Sequence, residues 1–218
     1  MKRTVFVILL SLLASSAARA APKEDATVKL NRENVAMRIT FDNDKSITVT
    51  DKGTKLAPGM YMVKSVVLVM KDSRGRTCQL RGAGKLGGMT SLTVADGQEK
   101  VLDTGPPVML HLRAWAGKDD RGQRLRIYFH VEGEYGECYY PGAWVRGKQP
   151  PRPAFRVKNA SGKVVGTGQL TPKNGACSTD WYLPGGARGT FKGKLTVEVR
   201  AKMGPFKWEG GTWEAEFE

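Results

Sequence analysis

Apolar and polar residues alternate through most of the chain after residue 30, and this pattern predicts strands. Every second residue is apolar in Leu195, Val197 and Val199 and in Leu110 and Leu112, so one face of each strand should be buried. Turn residues such as Gly and Pro separate these runs. The predicted strands are 35–41, 46–49, 61–70, 77–80, 91–94, 108–115, 124–131, 154–158, 164–170, 195–201 and 212–217. The fold class is therefore predicted to be all-β, with antiparallel sandwiches.

Two pairs of segments repeat at one shared offset along the chain. Residues 69–76 align with 156–163, and residues 110–117 align with 197–204 without a gap. Each pair describes a strand that enters a Gly-containing turn or ends in Arg-Ala. The repeat predicts two tandem β-sandwich domains, 21–118 and 121–218, joined by a polar, flexible stretch at 117–122.

One short motif resembles a known class of exported module. The stretch Pro58-Gly59-Met60-Tyr61-Met62-Val63 is similar to the Pro-Gly-x-Tyr-x-Val strand entry of carboxypeptidase-regulatory-like, transthyretin-like and other immunoglobulin-like modules. The whole chain also resembles exported bacterial proteins of uncharacterised function that contain two such sandwiches. The resemblance implies an immunoglobulin-like fold and an extracytoplasmic location, and it carries no catalytic residue.

The first twenty residues have the form of a secretory signal. Lys2 and Arg3 precede an apolar run at 5–14, and Ala18-Arg19-Ala20 is a small-x-small cleavage site. The run is too short for a membrane span, which needs about 20 apolar residues, so no transmembrane anchor is expected. We predict a signal peptide at 1–20 and a periplasmic or secreted protein that begins at Ala21.

The chain is basic, with a formal net charge of +14. Positive side chains are spread over both halves, whereas a nucleic-acid-binding arm would concentrate them. Export also makes nucleic acid an unexpected partner. The charge is instead typical of a solvated basic surface that aids solubility or weakly attracts anionic polymers of the cell envelope. An anionic glycan or an envelope protein is the expected partner.

Three cysteines enter an oxidising compartment if the chain is exported. Cys138 and Cys177 each lie in a short Gly-containing turn, and they are the predicted disulfide. A bridge between them would stabilise the fold by roughly 3–4 kcal/mol in the chain-entropy treatment. Cys78 is then a buried small residue or a free thiol, and the alternative that all three cysteines are unpaired remains open.

The richest candidate site is an aromatic segment followed by basic residues. Its rings occur in a turn-rich stretch where strand periodicity does not account for all of them, and Arg and Lys follow without a nearby acid. Rings can stack on sugars, and cations can attract an anionic glycan. The candidate binding residues are Tyr135, Tyr139, Tyr140, Trp144, Arg146 and Arg152. The alternative is that the rings close the end of a sandwich.

No catalytic, metal or cofactor motif stands out. His111 and His130 are the only histidines, each lies within a predicted strand, and neither has a second His or Cys at ligand spacing along the sequence. We therefore predict no metal site and no cofactor. The leading function is a non-enzymatic extracytoplasmic binding or interaction module. The alternative is a polysaccharide-active enzyme or accessory domain that uses Glu132, Glu134 and Glu137.

Overall fold

The computed structural model describes residues 23–82, 90–134, 136–173, 176–185 and 190–217. Within these ranges the chain forms strands and turns without any helix, which confirms the predicted all-β class. It follows that this part of the chain has no helix long and apolar enough to span a membrane. The predicted signal peptide lies outside the described residues.

The strands include every one predicted from the alternation, with ends that shift by up to four residues. They are β1 Ala26–Leu30, β2 Val35–Phe41, β3 Ser46–Val49, β4 Thr54–Leu56, β5 Gly59–Lys71, β6 Thr77–Arg81, β7 Ser91–Val94, β8 Glu99–Leu102, β9 Val108–Asp119, β10 Gly122–Glu132, β11 Cys138–Tyr139, β12 Trp144–Val145, β13 Ala154–Asn159, β14 Val164–Gln169, β15 Thr171–Lys173, β16 Ala176–Tyr182, β17 Gly193–Arg200, β18 Trp208–Gly210 and β19 Thr212–Phe217.

These strands form several mostly antiparallel sheets. One has the order β4-β1-β8, and a second has the order β12-β6-β5-β2-β3 with β7 on β5. A third has the order β15-β16-β10-β9-β18 with β11 on β10, and a fourth has β14-β13-β17-β19. Parallel pairing joins β1 to β8 and β18 to β9. The first two sheets thus contain the strands before residue 103 together with β12, and the other two contain the rest.

The long β9–β10 hairpin is the part of the fold that positions one candidate site. Its ladder runs without a register shift from the Asp119–Gly122 pair to the Met109–Glu132 pair. On the inner face, alternate residues of both strands are buried in the core, because they are apolar at every second position. The outer face is left with polar and aromatic side chains.

The segment 117–122 differs from the flexible junction that the sequence predicted. It forms the last pairs of the β9–β10 ladder and the two-residue turn between the strands. Both strands therefore belong to one sheet, and a domain boundary at 118–121 would divide a hairpin. The repeat misplaced this point because a polar, Gly-containing stretch is equally typical of a hairpin turn and of a linker. The wider expectation of two sandwich modules stays a prediction.

Candidate functional site

The aromatic segment is divided by the fold into one buried ring and two rings at the surface. Tyr139 has no exposed surface and belongs to the core. The prediction that it binds a ligand is therefore wrong, and its role is structural. Tyr140 is 37% exposed, and Trp144 is half-buried. Consecutive strand residues point to opposite sides, which explains why Tyr139 and Tyr140 differ. Tyr135 lies outside the described residues.

Tyr139 closes a buried polar cluster. Its hydroxyl donates a hydrogen bond to Oε1 of Glu137 at 2.9 Å, and the Thr104 hydroxyl donates to the same oxygen. Glu137 and Thr104 are also fully buried. Burial, together with the neighbouring Glu137 carboxylate, raises the pKa of Tyr139 well above its usual value, so this ring remains a neutral donor.

Tyr140 and Trp144 line a cavity of about 360 Å³ that we call the aromatic groove. Trp144 is held by strand β12, which pairs with β6, and the guanidinium of Arg81 lies 4.0 Å from the centre of its ring. Backbone N–H of Tyr140 donates to the carbonyl of Arg81 at 2.9 Å. The groove is defined by Tyr140, Pro141, Trp144, Pro150, Pro151 and Arg152.

Arg146 lies beside the groove in a second cavity. This cavity, of about 640 Å³, shares Pro150 and Pro151 with the groove and is also lined by Arg76, Lys148 and Lys202. The structure thus places Arg152 in the groove and Arg146 in the adjoining basic cavity. The predicted rings and cations meet at one surface, apart from Tyr139 and Tyr135.

The predicted disulfide between Cys138 and Cys177 is wrong, since all three cysteines are free. Cys138 pairs with Glu132 on β10, and Cys177 pairs with Phe129 on the same strand. Because Phe129 and Glu132 are three positions apart, the two thiols project from opposite faces of the sheet. Cys177 does not contact Cys138 through a disulfide but lines the aromatic groove. Burial raises the pKa of its thiol to about 11.

The three glutamates that the enzymatic alternative requires lie in separate environments. Strand β10 ends at Glu132, so Glu134 does not extend its outward face. Glu134 accepts two hydrogen bonds from Arg32, at 2.8 and 2.9 Å. Glu137 is buried beside Tyr139. Glu132 and Glu134 therefore do not share the strand face on which the sequence placed them, and the enzymatic alternative stays a prediction.

A second cluster, which sequence reasoning missed, lies on the outer face of the β9–β10 hairpin. His111 and His130 are direct partners across the ladder, and their rings stack at 4.7 Å with an angle of 8°. Oε2 of Glu132 lies 3.2 Å from Nε2 of His111 and 3.4 Å from Nε2 of His130. All three side chains are partly buried. We call His111, His130 and Glu132 the histidine cluster.

The surroundings of His130 shift its pKa. Burial is the main cause that lowers the pKa of His130, and the neighbouring His111 and Arg113 act in the same direction, whereas Glu132 opposes them. Among the described residues, Nδ1 of His130 is buried and has no hydrogen-bond partner. One ring nitrogen each from His111 and His130 and one carboxylate oxygen of Glu132 could together hold a metal ion.

No family model matches the sequence, and a search of curated proteins finds no match. Among solved structures, a DUF3823 family protein from Bacteroides ovatus is similar with 12% identity and a TM-score of 0.30. That alignment covers 90% of this chain and 100% of the other.

Proposed function

We propose that this chain is a non-enzymatic extracytoplasmic binding module that recognises an anionic glycan in the aromatic groove. The observation that carries the proposal is the convergence of Tyr140, Trp144 and Arg152 on one cavity of about 360 Å³. The proposal includes export by the signal peptide at 1–20 and a fold of two immunoglobulin-like sandwiches.

The lining of the groove suits a sugar ring. Ligand sites typically have volumes of about 300–1,000 Å³ and combine apolar walls with a few polar groups. Proline and aromatic side chains supply the walls here, and Arg152 supplies a charged donor. An aromatic face packs against the C–H face of a sugar, while a guanidinium binds a carboxylate through two parallel hydrogen bonds.

The surroundings favour an acidic ligand over a neutral one. Arg146 and Lys148 are exposed in the adjoining cavity, which shares two prolines with the groove. The lining of the two cavities contains basic residues and no acidic one among the described residues. A concave surface with one sign of charge attracts a ligand of the opposite sign.

The groove is tested by measuring binding to a soluble polyuronate and to a neutral glucan of equal length. We expect the wild-type chain to bind the polyuronate more tightly, and each of Tyr140→Ala and Arg152→Gln to weaken this binding by about tenfold. The loss in Arg152→Gln should diminish in high salt, because salt screens exposed charges.

Matched controls are available on other surfaces. Tyr128 has the same exposed fraction as Tyr140, 37%, and Arg38 is an exposed arginine on β2. Tyr128→Ala and Arg38→Gln should bind the polyuronate as the wild type does. Equal binding of both polymers, or equal losses in the groove and control variants, would contradict the proposal.

Export is tested separately by the mass of the protein recovered from a bacterial host. We expect the extracytoplasmic fraction to contain a chain that begins at Ala21. Ala20→Phe should retain the signal, because the cleavage site needs a small residue at this position. A full-length chain that accumulates in the cytoplasm would contradict the expected location.

A further inference from the structure

We propose that His111, His130 and Glu132 bind one divalent transition-metal ion, with zinc as the best fit, on the outer face of the β9–β10 hairpin. Each residue contributes one donor atom, and these atoms all lie within 4.8 Å of one another. This site is separate from the aromatic groove, since the groove lining contains none of the three residues.

The backbone holds the three side chains in place. His111 and His130 face each other across the ladder, and Glu132 follows His130 by two positions, so all three project from the same face. On the opposite face Leu110 and Val131, which also pair across the ladder, are buried in the core. Donors on paired strands with a packed inner face are better preorganised than donors on loops.

The distances match those between ligands of one zinc ion. Zinc binds nitrogen and oxygen at about 2.0–2.2 Å in a tetrahedron, so two of its ligand atoms lie roughly 3.4 Å apart. Oε2 of Glu132 is 3.2 Å from one Nε2 and 3.4 Å from the other. One carboxylate oxygen is therefore correctly placed relative to both imidazoles. The two imidazoles stack at 4.7 Å, so binding of one ion requires the partly exposed rings to turn their nitrogens toward it.

The donor set selects the class of metal. Two imidazoles and one carboxylate suit zinc and its neighbours cobalt, nickel and copper, whereas calcium and magnesium prefer oxygen ligands alone. Three protein ligands leave a fourth position for water or a small anion. Cys138 lies across the ladder from Glu132, and we do not assign it as a ligand.

The experiment is a titration of the mature chain, prepared without a histidine tag and freed of metal, with Zn²⁺ by calorimetry. One ion per chain is expected, and Ca²⁺ should not bind. His111→Ala and Glu132→Gln should each weaken Zn²⁺ binding by more than about tenfold, since even outer-shell changes at metal sites cost about 10–100-fold. Glu134→Gln is the matched carboxylate control and should bind Zn²⁺ as the wild type does.

Two further measurements keep the proposal falsifiable. Zn²⁺ should raise the Tm of the wild type and of Glu134→Gln but not of His111→Ala, while the metal-free Tm of folded His111→Ala shows that the variant is intact. If Zn²⁺ fails to bind the wild type, the carboxylate merely accepts hydrogen bonds from the imidazoles, and the proposal is overturned. Binding that survives His111→Ala and disappears in Cys138→Ser would overturn it as well, because the ion would then be held by a thiolate.

Discussion

Tyr139→Ala is expected to lower the free energy of unfolding by about 3–5 kcal/mol, the range for removing a large buried aromatic side chain. Tyr139 has no exposed surface, and its hydroxyl donates to the buried Glu137 carboxylate. The substitution therefore leaves a cavity and also removes a donor from a buried charge. Urea unfolding, followed by tryptophan fluorescence, measures the loss.

Two matched variants separate the contributions. Tyr139→Phe keeps the ring and removes only the hydroxyl, so it should cost about 1.5–3 kcal/mol, the usual value for a hydrogen bond to a charged group. Tyr140→Ala changes the neighbouring, partly exposed ring and should cost about 1 kcal/mol or less. If Tyr139→Ala and Tyr140→Ala are equally stable, Tyr139 does not belong to the core.

Gly133→Ala is expected to destabilise the fold by on the order of 3 kcal/mol, because it combines overpacking with loss of buried hydrogen bonds. A Cβ atom at residue 133 would come within 2.8 Å of all three atoms of the Glu137 carboxyl group. The carboxylate would have to leave its position beside Tyr139 and Thr104. The Tm of the variant, compared with that of the wild type, measures the effect.

The chain offers an internal control for Gly133→Ala. Gly117 lies on β9, and a Cβ atom there would meet nothing within 4 Å. Gly117→Ala should therefore leave the Tm nearly unchanged. In a Glu137→Ala background the collision is absent, so Gly133→Ala should cost much less than in the wild type. A cost that is the same in both backgrounds would contradict the proposed collision.

The all-β class and many of the strands could be predicted because the outer and inner faces of those strands differ in polarity. Val35–Phe41 and Thr212–Phe217 were located to the residue, since their buried positions recur at every second residue. Strand β16 was not predicted, because buried and exposed positions do not alternate along it. Its sequence, Ala-Cys-Ser-Thr-Asp-Trp-Tyr, has no such alternation, because partly buried polar residues occupy its middle.

The candidate sites depended on pairing, which a single strand pattern does not contain. Cys138 and Cys177 both contact β10, but only the register shows that they face opposite sides. A signal for the histidine cluster was present, because a two-residue turn at 120–121 places His111 opposite His130. This signal was overlooked because residues 117–122 were interpreted as a linker, so the hairpin was not predicted. Without the hairpin, the 19-residue separation of His111 and His130 along the sequence gives no sign that their side chains are in contact.

The parallel pairing of β18 with β9 constrains when the molecule can fold. Trp208–Gly210 completes one edge of a strand that begins at Val108, so about one hundred residues separate the two partners along the chain. Contacts this distant require closure of a long loop before they stabilise anything, and they slow folding. The edge of β9 thus remains unpaired until the later segment has been synthesised. The sheet that contains β9 therefore cannot be completed before synthesis has reached residue 210.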